Sequence, residues 1–155
     1  MKFLNFRESP EKISLAVAVG IFVAFAAPVG IQFLAALALA FVFRLPKVIT
    51  LVFTFPINPY NAPFLYPLIT YVGAKVMCSD LTLKEIESRI FNLFTDFSLL
   101  ELMELGWDLL LPFLIGSFVS GLVFGVISYF TSYGILVSYR KSRRTRLLRK
   151  TTVVK

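Results

Sequence analysis

The chain has 155 residues, 57% of them hydrophobic, with a mean hydropathy of +0.80 and only 16% charged. Soluble domains usually carry about 25% charged residues, so this composition lacks the polar surface to cover a soluble core and reads as one integral membrane domain. The net charge is +7, there is no histidine, and the single Cys78 rules out an internal disulfide. The commonest acid–base group and metal ligand is thereby absent.

Residues 1–12 are short and mixed, and read as a cytoplasmic N-terminus. Ser9-Pro10-Glu11 predicts a helix start: a serine cap, proline in the first turn, and an acid at the positive end of the helix dipole. The basic start and Ala24-Phe25-Ala26 also fit a cleaved signal peptide, but the apolar sequence resumes at Ile31, which favours retention.

The run 13–43 is broken by Pro28-Val29-Gly30. The 15 residues from Ile13 to Ala27 make about 22 Å of helix, short of the roughly 30 Å hydrocarbon core. The run is therefore one kinked crossing or a re-entrant hairpin of two half-length helices. Arg44 and Lys47 follow around Pro46. The run 48–77 repeats the plan, broken by Pro56-Ile57-Asn58-Pro59-Tyr60-Asn61-Ala62-Pro63. Proline removes a backbone donor and pushes its predecessor to extended geometry. Inside a bilayer such a break survives only where protein buries it or where it lines a wet cavity.

Residues 80–108 hold all nine of the chain's acids except Glu8 and Glu11. Thr82-x-x-Glu85 and Ser98-x-x-Glu101 both read as capping boxes. Ile86, Ile90, Leu93, Phe94 and Phe97 share a helical face, which predicts an amphipathic helix at the membrane surface, with Trp107 suited to the headgroup region. Glu101, Glu104 and Asp108 share another face, more simply a solvated one than a catalytic or cation site. The run 109–139 is the one segment long enough to span unbroken, despite Pro112. Its Gly116, Ser117, Gly121 and Gly125 form a small-residue face that lets another helix approach closely, either within the chain or from a second copy.

The tail 140–155 is basic. Arg140, Lys141, Arg143, Arg144 and Arg146 serve as a positive-inside signal and add contact with anionic lipid, worth about 1 kcal/mol per base at the surface. No aromatic platform or folded module accompanies them, so no nucleic acid is expected as a partner. Charge placement puts the tail, the N-terminus and the Arg44–Lys47 junction in the cytoplasm. In the simplest topology, 13–43 dips in and returns, 48–77 crosses outward with a break, and 109–139 crosses back. The competing topology makes both broken runs re-entrant.

Several of these stretches resemble the DUF2062 family of bacterial membrane proteins: Ser9-Pro10-Glu11-Lys12-Ile13, Ala16-Val17-Ala18-Val19-Gly20, Pro28-Val29-Gly30-Ile31-Gln32, Arg44-Leu45-Pro46-Lys47, Asn58-Pro59 and Gly116-Ser117. The resemblance covers about residues 9–139. Two departures are that family members often have Pro-x-Pro-Gly at the first break, and often Asn where Pro46 stands. The family's function is unassigned and brings no catalytic residues. Some of its members are fused to glycosyltransferase-like domains, which implies work on cell-envelope lipid or glycan.

The sequence therefore predicts an all-α, multi-pass protein of the inner (cytoplasmic) membrane. It has two Pro/Gly-broken, re-entrant or half-length hairpins, an interfacial amphipathic helix and a long C-terminal transmembrane helix. There is no nucleophile motif, cysteine pair or phosphate-binding glycine loop, so a non-enzyme without cofactor or metal is expected. Broken helices in corresponding apolar segments are the best sequence pointer to a membrane binding site. Half-helix N-termini near Gln32 and Ala62 offer backbone N–H groups to an anion. Gly30, Gln32, Asn58 and Asn61 are the candidate site for an anionic lipid or a lipid-phosphate carrier, with Asn61 as helix cap. The alternatives are a purely structural chain reversal, or a non-transporting scaffold or accessory subunit for envelope enzymes. Membrane lipids and a homo-oligomer or membrane-protein partner are the expected associates.

Overall fold

A computed structural model of the chain describes residues 8–95 and 106–153. Among these there are six helices and no strand. They are α1 (Pro10–Ala26), α2 (Gln32–Val42), α3 (Lys47–Val52), α4 (Ala62–Val76), α5 (Leu83–Thr95) and α6 (Gly106–Val153).

Helix α6 is the spine against which the other helices are placed. Gly121 lies against the Phe22 carbonyl and Gly125 against that of Ala18, where an added Cβ would sit 2.9 and 3.3 Å away. Increasing number on α6 thus meets decreasing number on α1, and the two helices are antiparallel. Helix α4 is antiparallel to α6 as well, because Gly116 faces Ile69 while Pro112 faces Gly73. So α4 lies along the first half of the apolar part of α6 and α1 along the second. From Pro112 to Arg140, whose guanidinium donates to the Glu8 carbonyl, α6 rises about 42 Å.

The contacts at Gly73 and Gly116 are the tightest. A Cβ on Gly73 would collide with the Pro112 carbonyl, and one on Gly116 with the Ile69 carbonyl. Only glycine lets these two backbones touch, the arrangement by which apolar helices associate without a hydrophobic driving force. The small-residue face of α6 is therefore used inside the chain. Its member Gly116 serves the α4 side, and Gly121 and Gly125 the α1 side, with Ser117 buried.

Helices α2 and α3 cover only the α1 half. Ala16, Ala40 and Leu45 form one core, with Val19 and Ile49 packed on it. Gly20 meets the Thr50 carbonyl, where a Cβ would sit 2.5 Å away. Helix α2 ends with Arg44 at φ 52° and a bond from Leu45 N–H to the Ala40 carbonyl of 2.8 Å. Helix α4 ends alike, with Cys78 at φ 54° and Ser79 N–H on the Ala74 carbonyl at 2.9 Å. These are left-handed C-caps, usually made by glycine. Here they reverse the chain at the two ends of the fold.

Helix α5 begins with a reciprocal cap. Thr82 N–H donates to Glu85 Oε2 at 3.0 Å and Glu85 N–H to Thr82 Oγ1 at 3.4 Å, as the Thr-x-x-Glu spacing predicts. Its Ile86 and Ile90 are buried against Ala74 and Leu109. The expected second cap at Ser98, the side chains of Leu93, Phe94, Phe97, Glu101, Glu104, Trp107 and Asp108, and those of Arg144 and Arg146 lie outside the described residues. The basic tail continues as helix to Val153 rather than leaving α6 at Arg140.

Candidate site at the facing helix breaks

The two breaks in the apolar runs come together. The first, residues 27–31, follows from Pro28: it carries no N–H for the Ala24 carbonyl, and α1 ends at Ala26. Pro28 then accepts from Ile31 N–H at 3.2 Å and Gln32 N–H at 3.3 Å, starting α2. Gly30 sits at φ +103°, a region closed to side chains, and open space surrounds it.

The second break, residues 53–61, is stapled by its own asparagines. Asn58 Oδ1 accepts from Tyr60 N–H at 3.0 Å and Asn61 N–H at 3.1 Å. Asn61 Oδ1 accepts from Asn58 N–H at 2.9 Å, and its Nδ2 donates to the Pro56 carbonyl at 2.7 Å. Such side-chain bonds replace the ladder that proline denies the turn.

This corrects one expectation. Asn61 does stand at the N-cap position of α4, but its side chain makes no cap bond. It points back into the turn because the proline-interrupted loop leaves the Asn58 N–H and the Pro56 carbonyl to be satisfied there. The first-turn donors of α4 are also taken. Ala62 N–H bonds the Asn58 carbonyl at 2.9 Å, Phe64 and Leu65 N–H bond the Asn61 carbonyl at 3.1 and 3.0 Å, and Pro63 has none. In this arrangement the start of α4 offers an anion no unused N–H from those residues.

Two bonds join the breaks. Val29 N–H donates to Tyr66 Oη at 2.9 Å, and Gln32 Nε2 donates to the Ile57 carbonyl at 3.1 Å. Around them Ile57, Ala62 and Ile69 are buried, with Phe25, Val29, Leu65 and Tyr66 packed against them. Phe33 and Phe55 meet edge to face at 5.4 Å. Sequence reading chose Gln32 and both asparagines but missed Tyr66 and Ile57. Nothing in the order of residues distinguishes Tyr66 from Tyr60, which is 90% exposed.

The polar groups buried in this apolar fold are mostly self-satisfied. Ser14, Thr50, Thr54 and Thr70 hydroxyls donate to carbonyls three or four residues earlier. Among the described residues, the buried side-chain atoms left without a partner are Gln32 Oε1 and Ser117 Oγ. Gln32 is 2% exposed. Its orientation is fixed, because the Ile57 carbonyl can only take the NH₂ side of the amide. The described residues hold no cluster of three or more His, Cys, Asp or Glu that could bind a metal ion.

At the end of the fold marked by Glu8, the N-terminus and α6 are linked by the Arg140 guanidinium, with Lys12 paired to Glu8 at 3.3 Å on the surface. Lys141 and Arg143 are exposed within the next turn. The 35 residues Leu109–Arg143 form a helix long and apolar enough to cross a membrane, and only 28% of its most apolar window is buried by the rest of the chain.

A family model described as an uncharacterized protein conserved in bacteria (DUF2062) matches residues 1–145. No curated protein and no solved structure matches the chain.

Proposed function

The chain belongs to the DUF2062 family, and on that premise we propose that it is a small multi-pass protein of the bacterial inner membrane that binds an anionic lipid or lipid-phosphate carrier at its facing helix breaks. Several observations support the membrane part. The core helix of a soluble protein is mostly buried, whereas α6 leaves Leu114, Phe118, Leu122, Ile127 and Phe130 exposed. The stretch of α6 flanked by α4 and α1, about 42 Å by its rise, matches the roughly 40–45 Å of a whole bilayer. Helices α1 and α4, of 17 and 15 residues, are about 25 and 22 Å long, and each suits one leaflet.

In this reading α1 and α2 form a re-entrant hairpin from the cytoplasmic side. Helices α3 and α4 form one broken crossing, and α6 crosses back. The tail, the N-terminus and Arg44 share the cytoplasmic face, as the positive-inside rule favours. Arg140, Lys141 and Arg143, with Arg144 and Arg146 beyond, meet anionic headgroups there.

The observation that carries the ligand reading is the meeting of the two breaks midway along α6, bonded across by Tyr66 and Gln32. Discontinuous helices place binding sites at mid-membrane. With the donors near Asn58 and Asn61 engaged, the seen arrangement is the closed one, and a ligand's phosphate takes over donors such as the Val29 N–H when the breaks part. The role remains non-enzymatic.

The test is native mass spectrometry of the detergent-purified protein incubated with phosphatidylglycerol or with diacylglycerol. Retention of phosphatidylglycerol several-fold above diacylglycerol supports the reading; equal retention contradicts it. A second reading, a scaffold or accessory subunit, is favoured by the bare outer face of α6 and the helical basic extension beyond it. It predicts a defined homo- or hetero-oligomer in the same spectra, with no lipid preference.

A further inference from the structure

The unsatisfied chemistry at the breaks is of the opposite sign to that expected from helix N-termini. Gln32 Oε1 is a buried acceptor with no partner, and its amide is held in place by the bond from Nε2 to Ile57. Beside it Pro28 ends α1 and the Val29 N–H is turned aside to Tyr66, so the donor at the first break is engaged while the Gln32 acceptor is not.

We propose that Gln32 is a specificity determinant whose free carbonyl takes a hydrogen bond from a hydroxyl of the ligand's head group, so that the site selects anionic phospholipids with hydroxylated head groups. This deepens the lipid reading above and rests on it. Gln32 Oε1 has no solvent access in the closed arrangement, so the Val29–Tyr66 bond parts before the head group enters, while the bond from Gln32 Nε2 to Ile57 keeps the amide in place. The entering hydroxyl then supplies the donor that the fold withholds. A buried acceptor left unpaired is costly, and a site built around one rejects a ligand without the matching donor far more strongly than it rejects a change of size.

The test compares phosphatidylglycerol with phosphatidylmethanol. Both are phosphodiesters of the same charge, but only the first has head-group hydroxyls. Native mass spectra of the wild-type protein are expected to show phosphatidylglycerol retained several-fold over phosphatidylmethanol. Gln32→Met, close in shape but without the amide, is expected to retain the two lipids equally. Gly134→Ala, away from the breaks and with nothing within 4 Å, is expected to keep the preference. Equal retention by the wild type, or an unaltered preference in a folded Gln32→Met protein, overturns the proposal. If Gln32→Met does not fold, Gln32→Asn, which draws the carbonyl back by one methylene, is expected to lose the preference instead, and an unaltered preference there overturns the proposal. Failure of the underlying lipid reading looks different: neither phospholipid is then retained above diacylglycerol.

Discussion

The phenol oxygen of Tyr66 accepts a 2.9 Å hydrogen bond from the backbone N–H of Val29, a residue 37 positions earlier in the chain. The bond solves a local problem. Pro28 ends α1, the amide after it has no helical partner, and the partner comes from the first turns of a different helix. Replacing Tyr66 by Phe leaves that amide unpaired at a cost of about 1–3 kcal/mol. The expected result is a folded protein with a lower Tm in detergent. An unchanged Tm would mean that the two breaks are not held together by this bond.

The glycines of α4 and α6 make a sharper prediction. Gly73→Ala and Gly116→Ala each push a methyl group into backbone of the facing helix, with no flexible side chain to yield. Folded yield is expected to collapse for both. Gly134→Ala, on the same helix as Gly116 but with nothing within 4 Å, is expected to leave yield unchanged. Fluorescence-detected size-exclusion chromatography of the three variants checks this.

Much of the architecture was legible in the order of residues. Pro28 and Pro56–Pro63 mark both breaks because proline acts through its own backbone, whatever surrounds it. The Thr82–Glu85 box marks the start of α5 for the same local reason. The small residues on α6 pointed to close packing, but not to the division of that face between α4 and α1, which depends on register. The left-handed caps at Arg44 and Cys78 could not be seen, since neither residue is glycine. Asn61 was given the wrong bond: its neighbours suit a helix cap, and only the folded turn reveals that the Asn58 N–H and the Pro56 carbonyl have stronger claims. Gln32 was chosen as a group able to add hydrogen bonds, but which half of its amide stays unpaired depends on the Ile57 carbonyl that the fold sets against it.

Asn61 therefore separates a cap from a staple. Serine is as good an N-cap as asparagine but is too short to bridge both Asn58 N–H and the Pro56 carbonyl. Asn61→Ser is expected to lower Tm nearly as much as Asn61→Ala, by the cost of about two hydrogen bonds at ~1 kcal/mol each. Recovery of wild-type stability in the serine variant would restore the capping role.

The start of α5 should depend on pH. Backbone and side-chain hydrogen bonds from Thr82, with a smaller contribution from Arg89, lower the pKa of Glu85 below its ordinary value. A carboxylate lowered in the folded state contributes stability above its unfolded pKa and loses it as the pH falls through the folded value. Hydrogen-exchange protection at Glu85 and Ile86 is expected to drop as the pH falls through and below the usual carboxylate range, about 4. In Thr82→Val, which keeps the backbone N–H bond to Glu85 and loses the hydroxyl's, that pH dependence should weaken, and in Glu85→Gln it should disappear. Equal pH dependence in Thr82→Val and the wild type would remove the Thr82 hydroxyl as a cause.

The central claim is that residues 13–43 enter the membrane and return to the side they left, while 48–77 cross it. Cys78 is free and exposed at the far end of α4, and Arg44 is exposed between α2 and α3. A membrane-impermeant maleimide applied to sealed vesicles of each orientation reads both positions, using native Cys78 in one protein and Arg44→Cys with Cys78→Ser in the other. The account predicts labelling of Cys78 from the periplasmic side only, and of the cysteine at position 44 from the cytoplasmic side only. Labelling of both from the same side would contradict it.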